Sequence, residues 1–372
     1  MLYAGRSLVW VALVMAALVL LCIPAAVGAE GTFETIAARL EQMQIKIGPH
    51  QGLWPPEPSY TGAATTGMVC AYARTGDPAY KASAELGGEY ILWVGIALGD
   101  LLGDEAYTLL RLSEMSDDPD KNKWRTALVD FYQSNRRQGG TTEAYIELFK
   151  QIDASTAVFY LAHQTVGAYF VEDQDKEIWR NALLRYLGLV DDTCAFPVMA
   201  LGVATWGLAE TGALDETPVS RFGSVPEWDG VLLRDLPSLL LSHQVPAEEP
   251  LGGSFYWRFD HGGGASGGLA AGYTEDAIYG AFGLVAVAST LEEGPSEEMQ
   301  RAIEAVHAAL VNGADVDGTV YEHLSLVGQC YHAYSGEMLQ ALCLLLEYLE
   351  MQSPAAEPDG PDVDVAPTAS AP

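Results

Sequence analysis

The chain is poor in positive charge: 19 Lys and Arg stand against 50 Asp and Glu in 372 residues, a formal net charge of −31. Nucleic acid and anionic membrane surfaces are held by clustered Lys and Arg that displace counterions, so neither is an expected partner. Polyanionic substrates are disfavoured for the same reason. Cysteine is scarce as well. Beyond Cys22, the chain has only Cys70, Cys194, Cys330 and Cys343, too few and too scattered to staple a small disulfide domain. Export would permit a bridge without requiring one. Gly262-Gly263-Gly264 does not open a βαβ unit, which argues against a phosphate loop. Disorder of the whole chain is excluded by a hydrophobic content of 49%.

The two ends differ from the rest. Arg6 is the only charge before Glu30, Ser7 to Ile23 is almost purely apolar, and small residues run from Ala25 to Ala29. This is the grammar of an export signal, with Val27 and Ala29 at the small-residue cleavage positions. Residues 1–29 are therefore expected to be a signal peptide, or a membrane anchor if uncleaved, and the protein is expected to be exported. Residues 352–372 consist mainly of Pro, Ala and Asp and read as a disordered acidic tail. Residues 30–351 make one domain.

Within that domain a pattern recurs: an apolar, small-residue stretch, a polar turn, an amphipathic helix, then an irregular connection. Thr61–Ala73 is followed by Thr75-Gly76-Asp77-Pro78 and by Tyr80, Ala84, Gly87 and Ile91 at helical spacing. Asp77 before Pro78 reads as a helix start. Further copies pair Leu101–Met115 with Trp124, Leu128 and Phe131, and Ala154–Phe170 with Ile178, Ala182 and Tyr186. Phe196–Leu208 pairs with Val231–Leu241, and Ala277–Thr290 with Met299, Ile303, Val306 and Leu310. Met338–Leu349 has no partner after it, while Phe33, Ile36, Leu40 and Met43 form a helix with none before it. Pairing these two predicts an all-α ring of six hairpins, an (α/α)6 toroid, with wholly apolar inner helices and one-sided outer helices.

The small-residue inner helices, the Thr-Gly-Asp-Pro turn and the glycine-aromatic connections at 50–54, 252–257 and 317–321 resemble the α/α-toroid superfamily over residues 33–350. That superfamily includes terpenoid cyclases, protein prenyltransferase β subunits and toroid polysaccharide lyases. The resemblance implies a central funnel whose mouth is formed by the connections from outer to inner helices, and fold alone does not choose among these functions.

Polar residues in those connections are the site candidates: Asp153, Asp192, Cys194, Tyr273, Glu275, Asp276, Tyr321, Glu322, His323, Tyr331, His332, Tyr334 and Glu337. Residues 252–272 hold eight glycines beside Phe255, Tyr256, Trp257, Arg258, Phe259, Asp260 and His261. Glycine lets a backbone approach a ligand, and aromatics among polar groups suit sugar rings, although such a loop can equally be structural. Polysaccharide lyases in the superfamily use Tyr and His to move protons. The resemblance therefore implies catalytic roles for Tyr331, His332 and Tyr334, with Arg258 and His261 neutralising a sugar carboxylate. Substrate contacts are expected from Phe255, Tyr256, Trp257, Asp260, Tyr273, Glu275, Asp276, Tyr321 and Glu322.

The leading expectation is an exported protein acting on a polysaccharide or envelope glycan by lyase-type elimination. A noncatalytic glycan- or protein-binding toroid is the rival. Glycoside hydrolysis by paired carboxylates chosen from Asp260, Glu275, Asp276, Glu322 and Glu337 is a further alternative. Asp192-Thr193-Cys194 with His332 resembles the zinc set of prenyltransferase β subunits, so zinc is the one cofactor considered. Against a terpenoid cyclase, Asp315-Val316-Asp317-Gly318 carries Gly where an acidic motif would end in Asp.

Overall fold

The computed structural model describes residues 28–55, 61–98, 103–118, 122–137, 140–223, 225–263 and 268–352. The leader at 1–27 and the tail at 353–372 thus lie outside the described residues. Helix α1 covers residues 28–43, so a cut after Ala29 would fall in its first turn. Six inner helices follow: α2 (Thr61–Thr75), α4 (Gly103–Met115), α7 (Ala154–Phe170), α9 (Pro197–Glu210), α11 (Thr274–Thr290) and α13 (His332–Gln352). The outer layer adds α3 (Pro78–Leu98), α5 (Lys123–Arg137), α8 (Lys176–Leu187), α10 (Leu236–Ser242) and α12 (Glu297–Asn312). A short helix, α6 (Thr142–Ile146), precedes α7. Among the described residues there are isolated bridges but no strands.

The inner helices contact one another in the cyclic order α2, α4, α7, α9, α11, α13 and back to α2. Small residues make this possible. A Cβ added to Gly67 of α2 would stand 2.7 Å from the Gly336 Cα of α13, so the two backbones touch directly. Every residue of α9 from Pro197 to Ala209 is buried, as a helix surrounded by protein requires. The outer helices bury one face, for example Met299, Ile303, Val306 and Leu310 of α12. Asp77 caps α3 as expected, its Oδ1 accepting the Ala79 amide at 2.8 Å. The two ends of the domain meet at Arg74, whose guanidinium bonds Glu30 of α1 and Glu350 of α13.

Three helix starts differ most from the sequence reading. The stretch expected as Val231–Leu241 becomes helical only at Leu236, after a 3-10 turn over Leu233–Asp235. Pro237 explains this, because its ring is tolerated in the first turn and not later. In contrast, α11 begins at Thr274 and α13 at His332, both earlier than expected. Glu275, Asp276 and Glu337 consequently lie on inner helices, near their amino ends.

Candidate active site

The amino ends of all six inner helices surround a cavity of about 210 Å3. Ala63 of α2, Tyr160 of α7 and Met199 of α9 form parts of its wall. The acids come from the other three: Asp104 and Glu105 on α4, Glu275 on α11 and Glu337 on α13. No Lys, Arg or His lines it among the described residues. Amino ends carry partial positive charge, which favours carboxylates there. Desolvation and mutual repulsion oppose this.

The balance differs from group to group. Burial pushes Asp104 up to about 6, although the Glu105 side chain and backbone amides, Ala63's among them, favour its ionised form. Gly62 makes that approach possible: a Cβ there would lie 2.6 Å from Asp104 Oδ2. Burial, with the charge of Glu322, pushes Glu275 up to about 7. Asp276, directly behind it in sequence, is buried with neither oxygen hydrogen-bonded. Its pKa is driven well above the carboxylate range by burial and by Glu275. Glu337 is driven up by burial, Glu275 and Asp104, against the Tyr279 hydroxyl that donates to it at 2.8 Å. Asp104, Glu105 and Glu275 also converge on the Tyr160 phenol, which burial and these charges push up to about 12. At neutral pH the cup therefore holds protonated and ionised carboxyl groups side by side, the arrangement that acid/base chemistry requires.

The rim joins the two segments expected to form the mouth. The Thr274 amide donates to the Glu322 carbonyl and the Leu324 amide to that of Gly272, both at 2.9 Å. The Thr274 hydroxyl donates to the Tyr321 carbonyl. Tyr334 stands in the field of the cup: burial raises its pKa, followed by Glu275, Glu322 and Glu337. The Tyr331 ring lies 5.5 Å from it. Trp257 backs the cavity wall, 5.3 Å from Phe196 and 4.1 Å from the Tyr273 ring.

Other candidates are placed elsewhere. Burial, followed by the charge of Arg39 on α1, lowers the pKa of His332. Phe255 is fully buried against α11, its ring filling the space above Gly280. Tyr256 stacks on His261 at 3.9 Å, and His261 Nε2 lies 3.1 Å from Nδ1 of His243 at the end of α10. Arg258 stands 3.8 Å from Asp192 and 3.5 Å from Asp260. Asp192 in turn accepts the Phe259 and Asp260 amides at 2.7 and 2.9 Å. Arg258, Asp260 and His261 thus fold the glycine-rich loop upon itself and do not line the cavity. Asp153 caps α7 through the Ser155 amide. His323 is a clip: Nδ1 accepts the Ser325 amide, so Nε2 carries the proton and donates to the Ala271 carbonyl at 2.7 Å.

The zinc set is not gathered. Asp192 is occupied by Arg258 and two amides, Cys194 Sγ has Asp191 as its carboxylate neighbour at 3.9 Å, and His332 lies toward α1. Among the described residues no three His, Cys, Asp or Glu side chains are grouped to hold a metal. Asp317 of the aborted acidic motif pairs with Arg39 on the outer layer.

Asp104, Glu105, Tyr160 and Tyr279 escaped the sequence reading. Leu101–Met115 reads as an apolar inner helix, whereas the polar candidates come from the connections that precede such helices. The available signal is the adjacent pair Asp104-Glu105 in the first turn of α4, repeated as Glu275-Asp276 in the first turn of α11.

These features define the fold as an α/α toroid whose inner helices present their amino ends to one acidic cup. No protein-family profile and no curated protein matches the chain. Solved structures do. The chain is similar to the unsaturated glucuronyl hydrolase of Bacillus sp. GL1, described as responsible for the degradation of glycosaminoglycan. The TM-score is 0.54 at 13% identity, covering 85% of this chain and 95% of that one. It is likewise similar to the GH76A α-1,6-mannanase of Salegentibacter sp. HEL1_6, with TM-score 0.51 and 12% identity over 87% and 99% of the two chains. An inactive variant of that mannanase, with two consecutive aspartates replaced by asparagine, holds α-1,6-mannotriose; its TM-score is 0.51 at 13% identity, over 86% and 99%. At such identities the likeness establishes the fold.

Proposed function

We propose that the chain is a glycoside hydrolase that cleaves an uncharged glycan in the acidic cup, with Glu275 as general acid and Asp104 as the second carboxylate. The observation that carries this reading is the convergence of Asp104, Glu105, Glu275 and Glu337 on one cavity with no cation in its described lining. Hydrolysis needs one protonated and one ionised carboxyl group flanking the scissile bond. Glu275, near 7, keeps a proton that it can deliver to the leaving oxygen. Asp104, near 6 and held by the Ala63 amide at the start of α2 and by amides at the start of its own helix, is mostly ionised at neutral pH. It would attack the anomeric carbon or take the proton of an attacking water. Tyr160, Phe159 and Phe196 offer ring faces to a sugar. A cavity of about 210 Å3 suits a short, terminal part of a glycan rather than a long buried run.

Elimination is less well supported. It requires a positive group beside the sugar carboxylate, and Arg258 is already committed to Asp192 and Asp260. A uronate would also add negative charge to an acidic cup. Both neighbouring structures are hydrolases, one of unsaturated glucuronyl units and one an α-1,6-mannanase, and the mannanase supports the uncharged substrate. The leader-like residues 1–29 support placing the reaction outside the cytoplasm.

The test is incubation of the purified chain with neutral and uronic oligosaccharides, read by mass spectrometry. Shortened neutral chains with ordinary reducing ends, absent with Glu275→Gln, are expected. Products one water lighter would overturn hydrolysis in favour of elimination. Binding of a glycan without turnover would overturn both in favour of a noncatalytic toroid.

A further inference from the structure

The carboxyl ends of the inner helices enclose a second cavity, of about 410 Å3, at the opposite end of the ring from the acidic cup. Two of the side chains that line it are Cys70 of α2 and Cys343 of α13. Both are buried and both are free thiols. The Cys343 Sγ lies 3.9 Å from the Cys70 carbonyl oxygen and 3.2 Å from Glu347 Oε1 one turn further along α13. These two helices are the first and last of the inner ring, and their backbones touch at Gly67 and Gly336.

We propose that Cys70 and Cys343 are a modification site: a low-molecular-weight disulfide reaching them through the second cavity converts them to an internal disulfide that staples the ring shut. The inference is independent of the reaction proposed for the cup. Cys70 as thiolate attacks one sulfur of the reagent R–S–S–R, forming a mixed disulfide and releasing one thiolate, which takes up the proton Cys70 gave up. Cys343 then attacks the Cys70 sulfur, its proton passing to the second thiolate as that is expelled. Two protein thiols are oxidised and one reagent disulfide is reduced to two thiols, so atoms and electrons balance. The order of attack follows from the surroundings. The adjacent Cys343 thiol lowers the pKa of Cys70 against the upward push of burial. Cys343 is pushed up by Cys70, by burial and by Glu347, so it reacts second.

A staple here closes a loop spanning most of the domain, since the two residues are 273 apart in sequence. Long closed loops lose most entropy in the unfolded chain. The purified full chain is incubated with hydroxyethyl disulfide, alkylated with iodoacetamide in denaturant and digested. A cross-linked peptide pair joining Cys70 to Cys343 is expected, with Cys194 and Cys330 outside it. Recovery of Cys70 and Cys343 alkylated, carrying only the reagent, or joined to other cysteines would overturn the proposal. With Cys343→Ser, the mixed disulfide at Cys70 should accumulate; an unmodified Cys70 would overturn the order of attack. The cross-linked protein should unfold at least about 5 °C above the reduced protein. That difference should vanish in Cys70→Ala and in Cys343→Ala. An equal midpoint in the cross-linked and reduced forms would overturn the stapling role.

Discussion

Tyr279 on α11 donates a hydrogen bond of 2.8 Å to Glu337 on α13, and both side chains are buried. The second Glu337 oxygen has no partner. A fully charged carboxylate with one donor would be costly to bury, and the upward displacement of its pKa relieves that cost by protonation.

Two substitutions separate the bond from the charge. Tyr279→Phe removes the donor and should cost about 1–3 kcal/mol, the usual effect of stranding a buried polar group. Glu337→Gln keeps an acceptor for Tyr279 and removes a carboxyl whose ionisation burial, Glu275 and Asp104 oppose, so it should change stability by less than about 1 kcal/mol at pH 7. Urea unfolding of both variants measures this. A large loss with Glu337→Gln would mean that Glu337 is ionised in the fold.

Stability should fall as pH rises through the weakly acid range. Glu275 moves from 4.5 to about 7 and Asp104 from 3.8 to about 6 on folding, so the folded chain binds more protons than the unfolded one between those limits. The derivative of unfolding free energy with pH is then negative from about 4 to about 7, and this contribution is level above that. Denaturant midpoints at pH 4.5 and pH 8 should show the decline, partly offset by carboxylates elsewhere that are lowered by pairing. Glu275→Gln should make it shallower and gain about 1–2 kcal/mol at pH 8, discounted for the partial solvent access of Glu275.

Activity should follow a narrow bell. On the glycan that the protein cleaves, kcat/KM should drop below about 6 as Asp104 takes up a proton and above about 7 as Glu275 loses one. The two limbs belong to the interacting set rather than to single residues. Glu275→Gln should lower kcat by about 10²–10⁴-fold and remove the alkaline limb. Retention of that limb in the variant would assign the acid to another carboxyl group of the cup.

Gly62 tests the positioning of Asp104. In Gly62→Ala the new Cβ would meet Asp104 Oδ2 at 2.6 Å and the Glu105 amide at 3.2 Å, so the start of α4 must shift. A stability loss of about 1–3 kcal/mol is expected, together with a fall in kcat larger than any change in KM. Circular dichroism and steady-state kinetics measure the two effects.

Much of the architecture was legible because it rests on periodicity. The inner helices declared themselves by apolar runs rich in Ala and Gly, and the outer ones by stripes such as Met299, Ile303, Val306 and Leu310. The unpartnered helix at Phe33–Met43 and the unpartnered run at Met338–Leu349 implied closure, and Arg74 now ties α1 to α13. The candidate site was legible only in part. Glu275, Asp276, Glu322, Tyr334 and Glu337 are legible as polar residues of the connections, whereas Asp104 is hidden inside a stretch that reads as an apolar helix. Arg258 and His261 looked apt for a substrate carboxylate, yet Asp192 and His243, distant in sequence, claim them.

The sequence by itself determined the helical hairpins, their alternation of buried and half-buried faces, and the acidity of the whole chain, because these depend on the spacing and type of neighbouring residues. Only the tertiary structure decided which of 50 acidic residues matter together. Helix ends that are remote in the chain are brought to one rim by ring closure. There the loss of water and the nearness of like charges lift Asp104, Glu275, Asp276 and Glu337 out of the ordinary carboxylate range. Such a displacement is a property of distance and burial, which no linear spacing encodes.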